Sequence, residues 1–221
     1  MASGRPFLIG EQWVHSGQTM PVVNPFTGES VAEVCWAGAE QADRAVQQAV
    51  AAFPVLRRVP GHARSTALHN TALAIERRRE EFARTITREA GKPITDARRE
   101  VGRAIQTFTV AAEEAKRIPG EFVPLDWTPG TEHYVGLSRR FPIGPVLGIT
   151  PFNFPLNLVA HKVAPALACG NPIVLKPAPQ TPLTALLLGE VLLEAGLPGG
   201  TISVVPCDNQ VAEQLVTDPR V

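Results

Sequence analysis

Two short runs hold the side chains whose types and setting could do chemistry. The first is Ile149-Thr150-Pro151-Phe152-Asn153-Phe154-Pro155, in which prolines bracket an asparagine. Pro155 disfavours helical backbone at Phe154 and suits the first turn of a following helix, so the backbone around Asn153 is expected to be well fixed. A fixed carboxamide can donate an N–H to an oxyanion developing on a substrate carbonyl. The plainer reading is that Asn153 caps the next helix. The second run is Lys176-Pro177-Ala178-Pro179-Gln180. An ammonium at Lys176 can hydrogen-bond ribose hydroxyls or pair with a phosphate. The plainer reading is a lysine reaching from a sheet edge to water.

Other chemistries find little support. Cys35, Cys169 and Cys207 are odd in number and widely scattered. That argues against a disulfide framework and fits a reducing compartment. Cys169, at the end of an apolar helix, reads as a small buried residue, and Cys207 as the end of a strand. No CxxC or HExxH spacing occurs, so no metal site is expected. Neither a GxGxxG after a strand nor a GxxxxGK[ST] is present. Lys+Arg and Asp+Glu number 21 each, giving no net charge. Charge therefore points to neither a nucleic-acid nor a membrane-surface partner. Met1–Gln12 has no apolar signal region, and the uncharged stretches Val163–Leu175 and Pro177–Gly189 are too short to span a bilayer. A cytoplasmic protein is expected. With 221 residues, 44% hydrophobic and 19% charged, the chain reads as globular, with one or two domains.

The elements that must position the two runs fall into three blocks. Residues 1–120 open with β-like pieces at Pro6–Ile9, Gln12–Val14, Pro21–Val23 and Val31–Val34. Turn signals at Gly10, Ser16-Gly17 and Asn24–Gly28 separate them. Three helical stripes follow. One is Ala42, Ala45, Val46, Ala49 and Phe53. The next is Leu68, Ala72, Ile75, Phe82 and Ile86, stopped by Gly91 and Pro93. The last is Ala97, Val101, Ile105, Phe108, Ala112 and Ala115, with Thr95 as N-cap and Gly120 as stop. Residues 121–141 hold two strands, Glu121–Leu125 and His133–Phe141. A two-stranded ribbon is unstable alone and must pack on another element or another subunit. Residues 142–221 alternate strands (Val146–Thr150, Ile173–Leu175, Ile202–Val205) with helices (Pro155–Ala168, a second from Thr181-Pro182 to Ala195, and Gln210–Thr217). Thr181 is the expected N-cap of the second helix. This alternation implies an α/β fold with a doubly wound parallel sheet, whose ligands bind beyond the carboxyl ends of the strands. Both chemical runs lie at such ends.

Four runs in this order resemble the aldehyde dehydrogenase superfamily. They are Phe141 to Pro155 (FPIGPVLGITPFNFP), Lys162 to Asn171 (KVAPALACGN), Lys176-Pro177-Ala178 with Gln180-Thr181-Pro182, and Glu194-Ala195-Gly196-Leu197-Pro198. Asn24-Pro25 with Thr27-Gly28, Gly91-Lys92-Pro93 and Glu100-Val101 match more loosely, so the resemblance covers essentially the whole chain as an N-terminal portion. It implies a Rossmann-like cofactor domain that needs no GxGxxG. It also implies that Asn153 supplies the oxyanion-hole side chain and Lys176 contacts the adenosine ribose. Ile149, Thr150, Pro151 and Phe152 then line the cleft, with Ala178 and Pro179 beside Lys176, and NAD or NADP is the cofactor. The implied reaction is thiolate attack on an aldehyde, hydride transfer to the nicotinamide and hydrolysis of the thioester to a carboxylic acid. Residues 121–141 become a projecting β-ribbon that builds a homo-oligomer, dimer or tetramer, in the full-length form.

Two departures follow from the same resemblance. Many NAD-preferring members carry a glutamate where this chain has Pro179, so NADP tolerance is expected. Members continue past a position like Val221 into the general-base glutamate and the nucleophilic cysteine. The parallel sheet is therefore expected to be incomplete, the catalytic domain absent and this chain inactive alone. Two alternatives stand beside this: a non-catalytic nucleotide-binding or oligomerisation module, and a related reductase of acyl phosphates. The wording of residues 141–155 is similar to that of members acting on small hydroxy- or phospho-aldehydes.

Overall fold

The computed structural model describes residues 4–221. Strands β1 (Phe7–Ile9) and β2 (Gln12–Val14) form a hairpin around Gly10-Glu11, and β3 (Thr19–Val23) pairs with β4 (Ser30–Cys35) in a separate two-stranded sheet. Four helices follow: α1 (Ala39–Leu56), α2 (Gly61–Arg77), α3 (Arg79–Ala90) and α4 (Ile94–Glu114). Next come the ribbon strands β5 (Glu121–Pro124) and β6 (Val135–Ser138). The chain ends with β7 (Val146–Ile149), α5 (Asn157–Ala168), β8 (Ile173–Lys176), α6 (Leu183–Leu193), β9 (Ile202–Val204) and α7 (Asn209–Val216).

The main sheet has the order β2-β1-β9-β8-β7. The expected parallel core is present: Val146 pairs with Ile173 and Ile149 with Lys176, while Ile173 pairs with Ile202 and Leu175 with Val204. The sheet is nevertheless mixed. The N-terminal hairpin adds two antiparallel strands on the β9 side, with Leu8 opposite Val204. Phe7-Leu8-Ile9 is a fully buried apolar run, and its two-residue turn dictates antiparallel pairing. Nothing in its local pattern told which distant strand it would join. Every residue of β8 is buried, as a strand covered on both faces must be, with α1 and α5 both packing on it. Along α6 every residue but Glu190 and Leu193 is buried. Gly189 brings that helix onto the sheet, because a Cβ there would lie 3.2 Å from Leu8 Cδ2 and 3.4 Å from Val204 Cγ2.

Several expected boundaries move for identifiable reasons. The single stripe from Leu68 to Ile86 is two helices, broken at Arg78. No glycine or proline marks the break. It is held instead by the Arg78 guanidinium, which reaches Glu81 at 2.8 Å and Glu190 on α6 at 2.7 Å. Thr95 is not an N-cap, because Pro93, with φ −54° and extended ψ, already sets the start of α4. Gly91 does end α3 in the left-handed conformation (φ +63°). A Cβ there would stand 2.8 Å from Pro25 Cγ, so the turn at Asn24–Gly28 packs against a place only glycine can occupy. Helix α5 begins at Asn157, two residues after Pro155, and α6 at Leu183 rather than at Pro182.

Among the described residues the ribbon β5–β6 pairs only with itself, from Glu121 opposite Ser138 to Pro124 opposite Val135. Its strand residues are exposed except Val123 and Gly136, which are half-buried. No helix among the described residues is long and apolar enough to cross a membrane.

Candidate active site

The parallel register brings the two chemical runs together. Ile149 lies opposite Lys176, and the Thr150 N–H donates to the Lys176 carbonyl at 3.2 Å. Beyond these strand ends, Ile149, Pro151, Phe152 and Asn153 are exposed, while Thr150, Lys176 and Ala178 are buried and Pro179 is half-buried. Cys207, just past β9, shares this end of the sheet. Burial pushes its thiol up to about 11, with Lys176 drawing it down and Asp208 raising it further. It is a protonated thiol at neutral pH. Cys35 is also buried. Cys169 is not the buried residue expected. It is the C-cap of α5, after the last turn that packs inward, and is exposed beside Arg64 near the root of the ribbon.

Asn153 does not cap α5. The N-cap position is Leu156, and the first free N–H groups of the helix are bound by a carboxylate from another helix. Glu100 Oε1 accepts from the Leu156 N–H at 2.9 Å and the Asn157 N–H at 3.2 Å, and its other oxygen pairs with Lys92 Nζ at 2.5 Å. Lys92 Nζ also donates to the Asn153 carbonyl at 2.8 Å and stands 4.0 Å from the centre of the Phe154 ring. The prolines restrict this loop, but an interior ion pair locks it. That leaves the Asn153 carboxamide exposed and without a hydrogen bond among the described residues.

Helix α6, which follows the Lys176 run, is held in the same manner. Thr181 does not cap it, and among the described residues its buried Oγ1 has no partner. Glu89, 1% exposed, accepts from the Leu183 N–H at 2.7 Å, the Thr184 N–H at 3.0 Å and the Thr184 hydroxyl. Burial pushes the Glu89 carboxyl up from its ordinary 4.5 to about 7, against the pull of those donors and of Arg5. Below about pH 4.5 the group is protonated folded or unfolded, and above about 7 it is ionised in both states. Between these values the folded chain holds a proton that the unfolded chain has released, so stability falls as pH rises through this window. At about 1.4 kcal/mol per pH unit the whole fall is about 3 kcal/mol. Urea unfolding at pH 5 to 8 should show this slope in the native sequence and lose it in Glu89→Gln. An equal slope in both would rule out Glu89 as its source.

In the sequence Lys92 and Glu100 stand out only within the runs that resemble the family, and Glu89 does not stand out at all. The available signal was an acidic residue inside a buried stripe: Glu89 after Phe82 and Ile86, and Glu100 between Ala97 and Ala104.

The Lys176 loop suits a nucleotide. No acidic residue occurs from Lys176 to Thr181, and the Lys176 ammonium enters no ion pair among the described residues. An ammonium so placed is a donor fit for ribose hydroxyls or a phosphate.

The fold is α/β, with both chemical runs at the carboxyl ends of neighbouring parallel strands. The chain belongs to the aldehyde dehydrogenase family, which it matches over residues 13–221. It is 40% identical over 214 residues to 3-sulfolactaldehyde dehydrogenase of Priestia aryabhattai, covering 96% of this chain and 44% of that protein. Aldehyde dehydrogenase 21 from Physcomitrella patens, solved with the reaction product succinate, superposes with a TM-score of 0.94 at 44% identity, over 98% of this chain and 45% of that one. NADP-dependent glyceraldehyde-3-phosphate dehydrogenase from Bacillus halodurans C-125, solved with NADP, gives 0.94 at 34% identity, over 99% and 47%. The chain thus spans a little under half the length of these relatives, their N-terminal portion.

Proposed function

We propose that this chain is the cofactor-cleft portion of an NAD(P)-dependent aldehyde dehydrogenase that oxidises an aldehyde to a carboxylic acid. The observation that carries the reading is Asn153: a free carboxamide on a backbone clamped by Lys92 and Glu100, beside strand ends suited to a nucleotide. Asn153 donates its N–H where negative charge builds on the carbonyl oxygen. Lys176 holds ribose hydroxyls, with Ala178 and Pro179 beside it and Ile149, Thr150, Pro151 and Phe152 forming the facing wall. The nicotinamide nucleotide, when bound, supplies the hydride acceptor. None of the three cysteines serves as the nucleophile. Cys35 and Cys207 are buried, and Cys169 is at the end of α5 away from Asn153. The thiolate and general base therefore come from outside these 221 residues, which alone do not turn over.

Residues 1–120 and 142–221 form the cofactor-binding unit, and residues 121–141 form an oligomerisation ribbon. Exposed Phe122, Tyr134, Val135 and Leu137 support pairing with a second copy, in a dimer or tetramer. Three free cysteines support a cytoplasmic location. Neither nucleic acid nor membrane is a partner.

Pro179 leaves no carboxylate to repel a 2′-phosphate, so NADP is accepted as well as NAD. Nucleotide titration of the protein expressed from its complete reading frame tests this. NADP and NAD should bind within about tenfold of each other, and Lys176→Met should weaken both by about tenfold, the worth of one charge-assisted hydrogen bond. Strict NAD selectivity would remove the role given to Pro179. Failure to bind either nucleotide would remove the reading itself.

A further inference from the structure

The proposed reaction leaves unused a group of side chains at the root of the ribbon. A cavity of about 550 Å³ there is lined by Arg64 of α2, by Lys116 beyond α4, by Arg139 and Arg140 after β6, and by Cys169 and Asn171 after α5. The end of α5 shapes it. Cys169 is the C-cap, and Gly170 turns the chain in the left-handed conformation (φ +81°). A Cβ at Gly170 would stand 3.1 Å from Arg64 Nη1, so the missing side chain lets the guanidinium lie against the helix end.

The lining carries one sign of charge. It contains no acidic residue. Arg64, Arg139 and Arg140 enter no ion pair among the described residues, and Lys116 pairs with Glu113 on the open surface. Glu121 borders the next depression beside Arg139 and Arg140 but pairs with neither. Two buried donors are also open. Arg64 Nε is buried and has no hydrogen-bond partner among the described residues. Asn171 is 9% exposed, and its Oδ1 accepts from the Ile143 N–H at 2.9 Å and the Gly144 N–H at 3.3 Å. Its amide nitrogen donates to nothing among the described residues. Donors left open in this way are costly unless something in the cavity accepts from them, and an anion satisfies both the donors and the charge.

Of the three cysteines Cys169 alone is exposed, and it stands in this wall. Burial works against the Arg64 charge, and the nearby Cys169 sulfur offsets it. The carboxyl end of α5 repels negative charge. The surrounding cations oppose that repulsion, for the sulfur and for an approaching anion alike.

We propose that Cys169 is a site of S-thiolation, and that the basic cavity seats the anionic half of the small peptide disulfide, of the glutathione type, that modifies it. The Cys169 thiolate attacks one sulfur of that disulfide. The new S–S bond forms as the old one breaks, and the other half leaves as a thiolate. The Cys169 sulfur is oxidised and the departing half reduced, with no further reactant. Carboxylates of the retained half meet Arg64, Arg139 and Arg140, and the Asn171 amide donates to one of them. No part of this step depends on the dehydrogenase reading.

The test uses the protein expressed from its complete reading frame, folded and at neutral pH. Mass spectrometry of its proteolytic peptides reads Cys169 apart from every other cysteine. The probes are glutathione disulfide, which is net anionic, and hydroxyethyl disulfide, which is neutral. Glutathione disulfide should modify Cys169. Arg139→Gln combined with Arg140→Gln, both on the exposed surface, should slow that reaction about tenfold and change the reaction with hydroxyethyl disulfide by less than about twofold. Comparing each probe with itself removes the difference in leaving-group chemistry. Added salt should slow the glutathione reaction more in the native sequence than in the variant. Equal changes for the two probes would overturn the inference by removing the cavity's role. A Cys169 left unmodified by glutathione disulfide while other cysteines react would overturn it by removing the site.

Discussion

Replacing Glu100 by alanine should lower unfolding stability by about 3–5 kcal/mol, the range for breaking a buried ion pair from one side. Glu100 is 1% exposed on its side chain and Lys92 16%, so solvent screens little of their interaction. The alanine also strips the Leu156 and Asn157 N–H groups of their acceptor at the start of α5. Either loss alone costs on the order of 1–3 kcal/mol for each buried group left open. Glu100→Gln keeps an acceptor for those N–H groups and loses the ionic half, so it should fall between alanine and the native residue. Urea unfolding midpoints of the three proteins measure the series. A Glu100→Ala loss below about 1 kcal/mol would mean that α5 and the Asn153 loop are held by something else.

Two carboxylates on the buried faces of α3 and α4 therefore cap the two helices that follow the strand-end loops. Glu89 serves α6, and Glu100 serves α5. The caps are made across the interface between the N-terminal helices and the β7–β9 unit, so docking of the two and ordering of both strand-end loops are one event. This explains which features could be read from the chain. The strands β7, β8 and β9 and their helices were legible because short apolar runs bounded by glycine and proline have few alternatives. The glycine stop at Gly91 was legible for the same reason. Asn153 and Lys176 stood out because the alternation of elements placed them at strand ends.

What remained hidden was set by contacts distant in sequence. The break at Arg78 depends on Glu190, 112 residues away. The antiparallel join of β1 to β9 brings Leu8 to Val204. The caps on α5 and α6 are made by residues 56 and 94 positions upstream of the groups they bind. Local capping preference pointed to Asn153 and Thr181, and tertiary carboxylates displaced both. The exposure of Cys169 likewise follows from where α5 ends, which its apolar neighbours did not reveal.

Loss of the Asn153 carboxamide carries the largest expected effect on rate. Lys92 fixes the Asn153 carbonyl, so the backbone that carries the carboxamide is held in place before any substrate arrives. A preorganised donor of this kind acts only as charge develops, so its loss lowers kcat more than it alters binding. The most direct measurement is steady-state aldehyde oxidation by Asn153→Ala, beside the native sequence, in the protein expressed from its complete reading frame. The kcat is expected to fall about 10²- to 10³-fold, the usual cost of removing one oxyanion donor. The KM for the nucleotide should stay within about twofold, because Lys176 and its loop are untouched. A kcat within about threefold of the native value would contradict the account, since Asn153 would then not be the donor that this arrangement exists to hold.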